Sequence, residues 1–394
     1  MLPHQDGRKG MRFHLMQTGV VGRRHEIEAG MAGQRPELYQ RFLEEVKGYV
    51  QLGDELGFYG YCQPEHHLQI EGFEANNHPG MFSLFVGLHS KRMKAGLMGY
   101  TMTTHNPVRV AEEIATLDHM LKGRIYVGFT RGYHARWVDS YAAKPGISAT
   151  TPDNVKARDE QDAKNRSLFE EAVQVIKKAW TNDVFSHKGE NWEFPPNGGS
   201  AGHPAYAKFG KGQDADGIVR EIGIAPHCYQ KPHPPIYGGF AASMRTVDFW
   251  AREGGKMIVL SDNLDFCESL NTRYIDTAAK AGREVTNADA SAWGGFLMLT
   301  DDKDRAAKLM EEHMWFWDEW FIPHGQRPPN VLIGSADEIA DKIGRAHDRL
   351  GFNELFLMFG QGHLEPEANK EEIEQFISKV APRFSVKDAD GTLV

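Results

Sequence analysis

Eight short apolar runs, separated by amphipathic stretches, constrain the fold of this chain more than any other feature. They are "RFHLMQ" (12–17), "FYGYCQ" (58–63), "KAGLMGYTM" (94–102), "RIYVGF" (124–129), "PIYGGF" (235–240), "KMIVLS" (256–261), "AWGGFLMLT" (292–300) and "ELFLMFG" (354–360). Strands that are apolar at nearly every position are covered on both faces, which marks parallel sheet flanked by helices. The intervening stretches carry helical spacing. Val108, Ala111, Ile114, Ala115 and Leu121 share one stripe that ends at Gly123, and Phe169, Ala172, Val173, Ile176 and Trp180 share another from about Arg166. Further patterns run from about Glu37 to Leu56 and through Ile339, Ile343, Ala346 and Leu350. Eight βα units predict an α/β fold, a (β/α)8 TIM barrel. A doubly wound sheet is the alternative, weakened because no GxGxxG follows the first strand.

The pattern predicts a single barrel domain over 11–385, with a polar tail at 1–10 and a C-terminal tail at 386–394. Two insertions, at about 133–165 and 181–235, break the alternation after strand 4. Structureless stretches of that length are commonly lids or substrate walls. The second holds a predicted hairpin, "VFSH" and "NWEFP" around "KGE".

Net charge is 45 − 54 = −9 with neutral histidines, which gives no electrostatic basis for capturing nucleic acid or an anionic membrane. Cys62, Cys228 and Cys267 are far apart and form no CxxC, so they read as reduced thiols. The start "MLPHQDGRKG" lacks a signal-peptide core and no run of eighteen apolar residues exists, so the expected location is the cytoplasm.

In a barrel of this type, chemistry belongs to the C-terminal ends of the strands. Those ends read "PEHH", "TTHNP", "TRGYH" and "AASMRT" for strands 2 to 5. Adjacent residues on an extended segment point to opposite sides, so His66 and His67 are poorly placed to share a metal; His78 and His105 could in principle complete a site, but nothing in the sequence fixes that geometry. Proton transfer asks less: one imidazole faces the cavity, while the other, or Glu65, orients it or packs behind. The plain alternative is a structural polar shell. Arg131 and the helix start at Ser243 and Thr246 read as two halves of an anion site. Their plain alternatives are an Arg131 ion pair with a helix acid and ordinary capping by Ser243. Gly99, inside strand 3, admits either a bulge or close backbone approach to something flat.

On "GFYGYCQPEHH", "HNPVRVAEEIATLDHMLKGRIYVGFTRG", "QKPHPPIYGGFAASMRTVDFWAREG" and "IGSADEIADKI", the chain resembles the bacterial luciferase-like flavin-dependent monooxygenases from about Met11 to Phe384. The resemblance implies a reduced FMN cofactor supplied by a separate NAD(P)H:flavin reductase, O2 as co-substrate through a C4a-peroxide, and a small organic substrate. It places His66, with His67 beside it, as catalytic histidines near the flavin ring. Met98–Gly99 takes the position of a non-proline cis peptide against that ring, and Thr130 replaces a reactive cysteine of luciferase. Arg131, the Tyr133 backbone, Arg166, Ser243 and Thr246 match phosphate-holding positions, and Glu65 and Met244 complete the cofactor set. It also implies a homodimer. Three rivals stand beside this reading: an F420-dependent hydride-transferring enzyme of the same superfamily, a non-catalytic flavin-binding barrel, and a metal-dependent barrel hydrolase.

Overall fold

The computed structural model describes residues 10–149, 158–239, 243–360 and 365–394. The expected N-terminal tail, apart from Gly10, and positions 150–157 of the first insertion lie outside the described residues. Eight strands form the barrel: β1 (Arg12–Met16), β2 (Gly60–Gln63), β3 (Lys94–Thr101), β4 (Ile125–Thr130), β5 (Ile236–Gly238), β6 (Lys256–Val259), β7 (Ser291–Leu299) and β8 (Glu354–Phe359). They follow one another in chain order around the sheet, and β8 pairs in parallel with β1 to close it, Arg12 opposite Glu354 and Met16 opposite Met358. All eight apolar runs are therefore the barrel strands. This is a TIM-barrel-like α/β fold.

The larger helices are α1 (Pro36–Leu56), α2 (Pro79–His89), α3 (Pro107–Met120), α4 (Arg158–Thr181), α5 (Met244–Glu253), α6 (Leu264–Lys280), α7 (Lys303–Phe316), α8 (Ala336–Leu350) and α9 (Pro366–Gln375). Their ends follow local chemistry. Pro36 opens α1, and Gly57 at φ 96° closes it in the left-handed region that glycine tolerates. In α8, Ser335 and Glu338 form a capping box over the buried stripe Ile339, Ile343, Ala346 and Leu350. In α3 the buried stripe contains Val110, Ala111, Ile114, Ala115 and Leu117, while Val108, expected on it, is only half-buried.

The remaining departures from the sequence pattern have physical reasons. α4 begins at Arg158, earlier than expected, because its polar first turns, with Asp159 and Glu160 favourably placed against the helix dipole, carry no apolar stripe to read. A ninth strand, Val331–Gly334, pairs with the C-terminal half of β7, whose N-terminal half pairs with β6. β7 has nine residues and β6 only four, so the extra strand continues the edge that β6 leaves. The predicted hairpin is present but short, His187–Lys188 against Glu193–Phe194, and a second pair joins Ser200–Ala201 to Ile218–Val219.

By contact density the chain divides into two compact units. One comprises residues through Gly99, Tyr126–Gly128 and Ile236–Val394; the other comprises Tyr100–Ile125 and Phe129–Pro235. In the first unit, the Tyr126 ring lies against Gly60 and Gly96, where an added Cβ would meet it at 2.7 and 2.4 Å. Near the N-terminal strand ends, Glu354 accepts from Tyr237 Oη at 2.6 Å and Lys256 Nζ at 2.8 Å, with His14 Nε2 at 3.2 Å. Burial alone would raise the Glu354 carboxyl, but His14 and Lys256 hold it well below the usual range. In the second unit α3 packs on α4, and Trp180 Nε1 donates to Ala111 O at 3.0 Å. Cys62, Cys228 and Cys267 are buried free thiols. Among the described residues no helix is long and apolar enough to cross a membrane.

Candidate active site

The segment after β2 is held by its own loop: His66 N–H donates to Asn76 O at 2.8 Å, and Asn76 Nδ2 donates back to Pro64 O at 2.9 Å. His66 and His67 each meet a different carboxylate. His67 Nε2 lies 2.8 Å from Glu65 Oε1, and His66 Nδ1 lies 3.1 Å from Glu74 Oε1. The group against His66 Nδ1 is Glu74, whereas Glu65 and His67 are the neighbours that the sequence suggests. Glu74 is fully buried, and its other oxygen accepts from Trp320 Nε1 at 2.8 Å. Trp320 is in turn fixed by stacking on Phe73, with ring centroids 4.9 Å apart. A buried carboxylate on the Nδ1 side would favour the tautomer with its proton there.

Within β3 the Met98–Gly99 peptide is cis, at the position that the resemblance implies. Met98 is buried, and its sulfur fills the space beside Gly128, where a Cβ would meet it at 2.9 Å. At the start of α5, Ser243 caps the helix by accepting from Thr246 N–H at 3.4 Å, and its hydroxyl lies 2.9 Å from that of Thr246. Ser243 and Met244 are exposed. His78, considered as a metal ligand, instead caps α2 by accepting from Met81 N–H at 3.2 Å.

In the second unit, Thr130 Oγ1 lies 3.1 Å from Thr101 Oγ1, and Thr103 Oγ1 donates to Arg131 O at 2.6 Å. These threonines fix the strand end from which Arg131 projects. Gly132 follows at φ 78°, and a Cβ there would meet Val138 and Thr101 at 2.7 and 2.8 Å. The half-buried Tyr133 comes next. The Arg131 guanidinium is hydrogen-bonded to Asp162 of α4, and Arg166 Nη2 lies 3.5 Å from the same carboxylate. Burial, then the charge of Arg131, lowers the Arg166 pKa from its ordinary value. Both plain alternatives are therefore realised: Ser243 caps its helix and Arg131 pairs with a helix acid.

Within each unit the groups suit parts of a flavin mononucleotide. Two guanidiniums that share one carboxylate match the donor set of a phosphate. A buried imidazole beside a buried carboxylate suits proton exchange. Glu74, Trp320, Asp162 and Thr101 were missed from sequence because they carry no motif and reach their partners only through the fold.

A sequence profile of the luciferase-like monooxygenase family matches residues 27–358. The oxygenase component of the flavin-dependent trigonelline monooxygenase of Acinetobacter baylyi is 21% identical over 383 residues, covering 90% of this chain and 92% of that protein. Among solved structures, the FMN-complexed oxygenating constituent of 3,6-diketocamphane monooxygenase from Pseudomonas putida superposes with a TM-score of 0.70 at 16% identity, over 95% of this chain and 98% of that one. The coenzyme F420-dependent tetrahydromethanopterin reductase of Methanopyrus kandleri shares the fold with a TM-score of 0.59 at 15% identity, over 95% and 99%. With the profile spanning most of its length, the chain belongs to the luciferase-like monooxygenase family.

Proposed function

We propose that this protein is the oxygenase of a two-component, FMN-dependent monooxygenase acting on a small organic substrate. The observation that carries the reading is the buried His66–Glu74 pair after β2, in a chain whose relative is named as an oxygenase component. That relative's name supports a separate reductase as the source of reduced FMN. Bound reduced FMN would supply the electrons that activate O2. Arg131 and Arg166 would bind the phosphate through charge-assisted hydrogen bonds, with the Tyr133 backbone and the α5 start at Ser243, Met244 and Thr246 adding donors. Met98–Gly99 and Thr130 would line the ring. Glu65 would keep His67 in place beside it, and Glu74 would hold His66 with Nε2 as the proton-exchanging atom. The insertions after β4 would exclude water. A homodimer is part of the proposal, through the resemblance.

The test supplies NADH, a flavin reductase, FMN and 18O2 with a panel of organic substrates and looks for one labelled oxygen in a product. The reading expects label that depends on FMN and on the reductase and is lost in His66→Ala. Substrate turnover without O2, driven by reduced F420, would instead establish the hydride-transfer alternative.

A further inference from the structure

Asp162 lies on both guanidinium groups assigned above to the phosphate: it is hydrogen-bonded to Arg131 Nη1, and its other oxygen is 3.5 Å from Arg166 Nη2. α4 presents Asp162, Arg166 and Glu170 at successive i,i+4 positions, and Glu170 Oε1 lies 3.8 Å from Arg166 Nη1. Among the described residues, two cations thus face two carboxylates. An incoming phosphate would meet Asp162 on the same N–H groups it requires. Asp162 is short, and its side chain is 32% exposed, so it has solvent to turn into.

We propose that Asp162 is an internal counter-ion that keeps the place of the phosphate, leaves when it binds, and selects for a doubly charged phosphomonoester. This rests on the assignment of Arg131 and Arg166 to the FMN phosphate. Exchanging one carboxylate charge for a singly charged phosphodiester gains little Coulomb energy, whereas a dianion adds a second charge opposite both arginines. The selection is among phosphates: it favours the dianionic monoester of FMN over cofactors whose phosphate is a diester, and riboflavin, which has no phosphate, is the control that Asp162 does not affect.

The experiment is equilibrium titration of the full chain with FMN and with riboflavin, following flavin fluorescence, for the wild type, Asp162→Asn, Asp162→Ala and Arg131→Ala. Circular dichroism checks that each variant is folded. Methyl phosphate and dimethyl phosphate serve as competitors. Both Asp162 variants are expected to bind FMN about tenfold more tightly with riboflavin unchanged. Methyl phosphate alone should compete in the wild type, and both esters should compete in Asp162→Asn. FMN affinity that stays the same or weakens in both Asp162 variants would overturn the counter-ion role, leaving Asp162 as a group that positions the arginines. Independently, Arg131→Ala binding FMN as tightly as the wild type would overturn the phosphate assignment itself.

Discussion

A carboxylate removed from water is unfavourable unless its oxygens find donors, and Glu74 has Trp320 Nε1 on one oxygen and His66 Nδ1 against the other. Glu74→Gln keeps the shape but removes the charge that fixes the imidazole. On the proposed role, turnover should fall about 10- to 100-fold while the affinity for FMN is unchanged, a split that steady-state kinetics with flavin titration would read. Loss of FMN affinity in step with turnover would show that the pair supports the flavin site as a whole. A second buried acid, Glu372, lines a cavity of about 30 Å3 with His313 and Asn369, space for a water or two. Burial pushes its carboxyl up to about 8, although the Leu299 N–H bond at 2.6 Å and the charge of Arg305 oppose the rise. Because the folded value is raised, the stability that this group contributes is fully present below the ordinary carboxylate range. It is lost, by about 1.4 kcal/mol per pH unit, as pH rises toward 8. Glu372→Gln should therefore gain thermal stability over the wild type increasingly from pH 5 to about pH 8. A difference in Tm that stays constant with pH would contradict that assignment. His66 was legible in the sequence because "EHH" follows a strand. Glu74 was not, because its reach depends on the path of the loop that Asn76 ties to Pro64.

At the scale of elements, Glu171 is one of the α4 side chains that fasten the second insertion, beside Ser167, which bonds Glu190 and Asn191. Glu171 accepts from the backbone N–H groups of Asn191 and Trp192 at 2.8 and 2.9 Å and lies 2.8 Å from His187 Nε2. Trp192 in turn lies beneath Lys144 of the first insertion, whose Nζ is 4.3 Å from the ring centroid. Glu171→Ala leaves those donors to water, so the hairpin between about 184 and 195 should be nicked faster in limited proteolysis than in the wild type. Unchanged cleavage there would mean that the hairpin is held by its other contacts. The hairpin was legible from "KGE" between two β-rich stretches, although only two residues of each arm pair. The start of α4 and the strand at 331–334 were not. The first is polar for two turns, and the second is four residues whose partner edge exists only because β6 is short.

At the scale of the whole chain, the barrel was legible because strands covered on both faces leave near-continuous apolar runs, and all eight were in the sequence. The contents of the barrel were less so. The ring of Tyr126 fills the space beside Gly60 and Gly96, a contact that no motif signals. The His14, Lys256, Tyr237 and Glu354 group comes from four strands far apart in sequence, brought together by closure of β8 on β1. The family is equally a property of the whole chain, whereas the cofactor choice rests on a few side chains. The most direct measurement is anaerobic titration of the protein with reduced FMN, with reduced F420 as competitor. The account predicts saturable binding of reduced FMN that is lost in Arg131→Ala and not displaced by F420. No saturable binding, or displacement by F420, would contradict it.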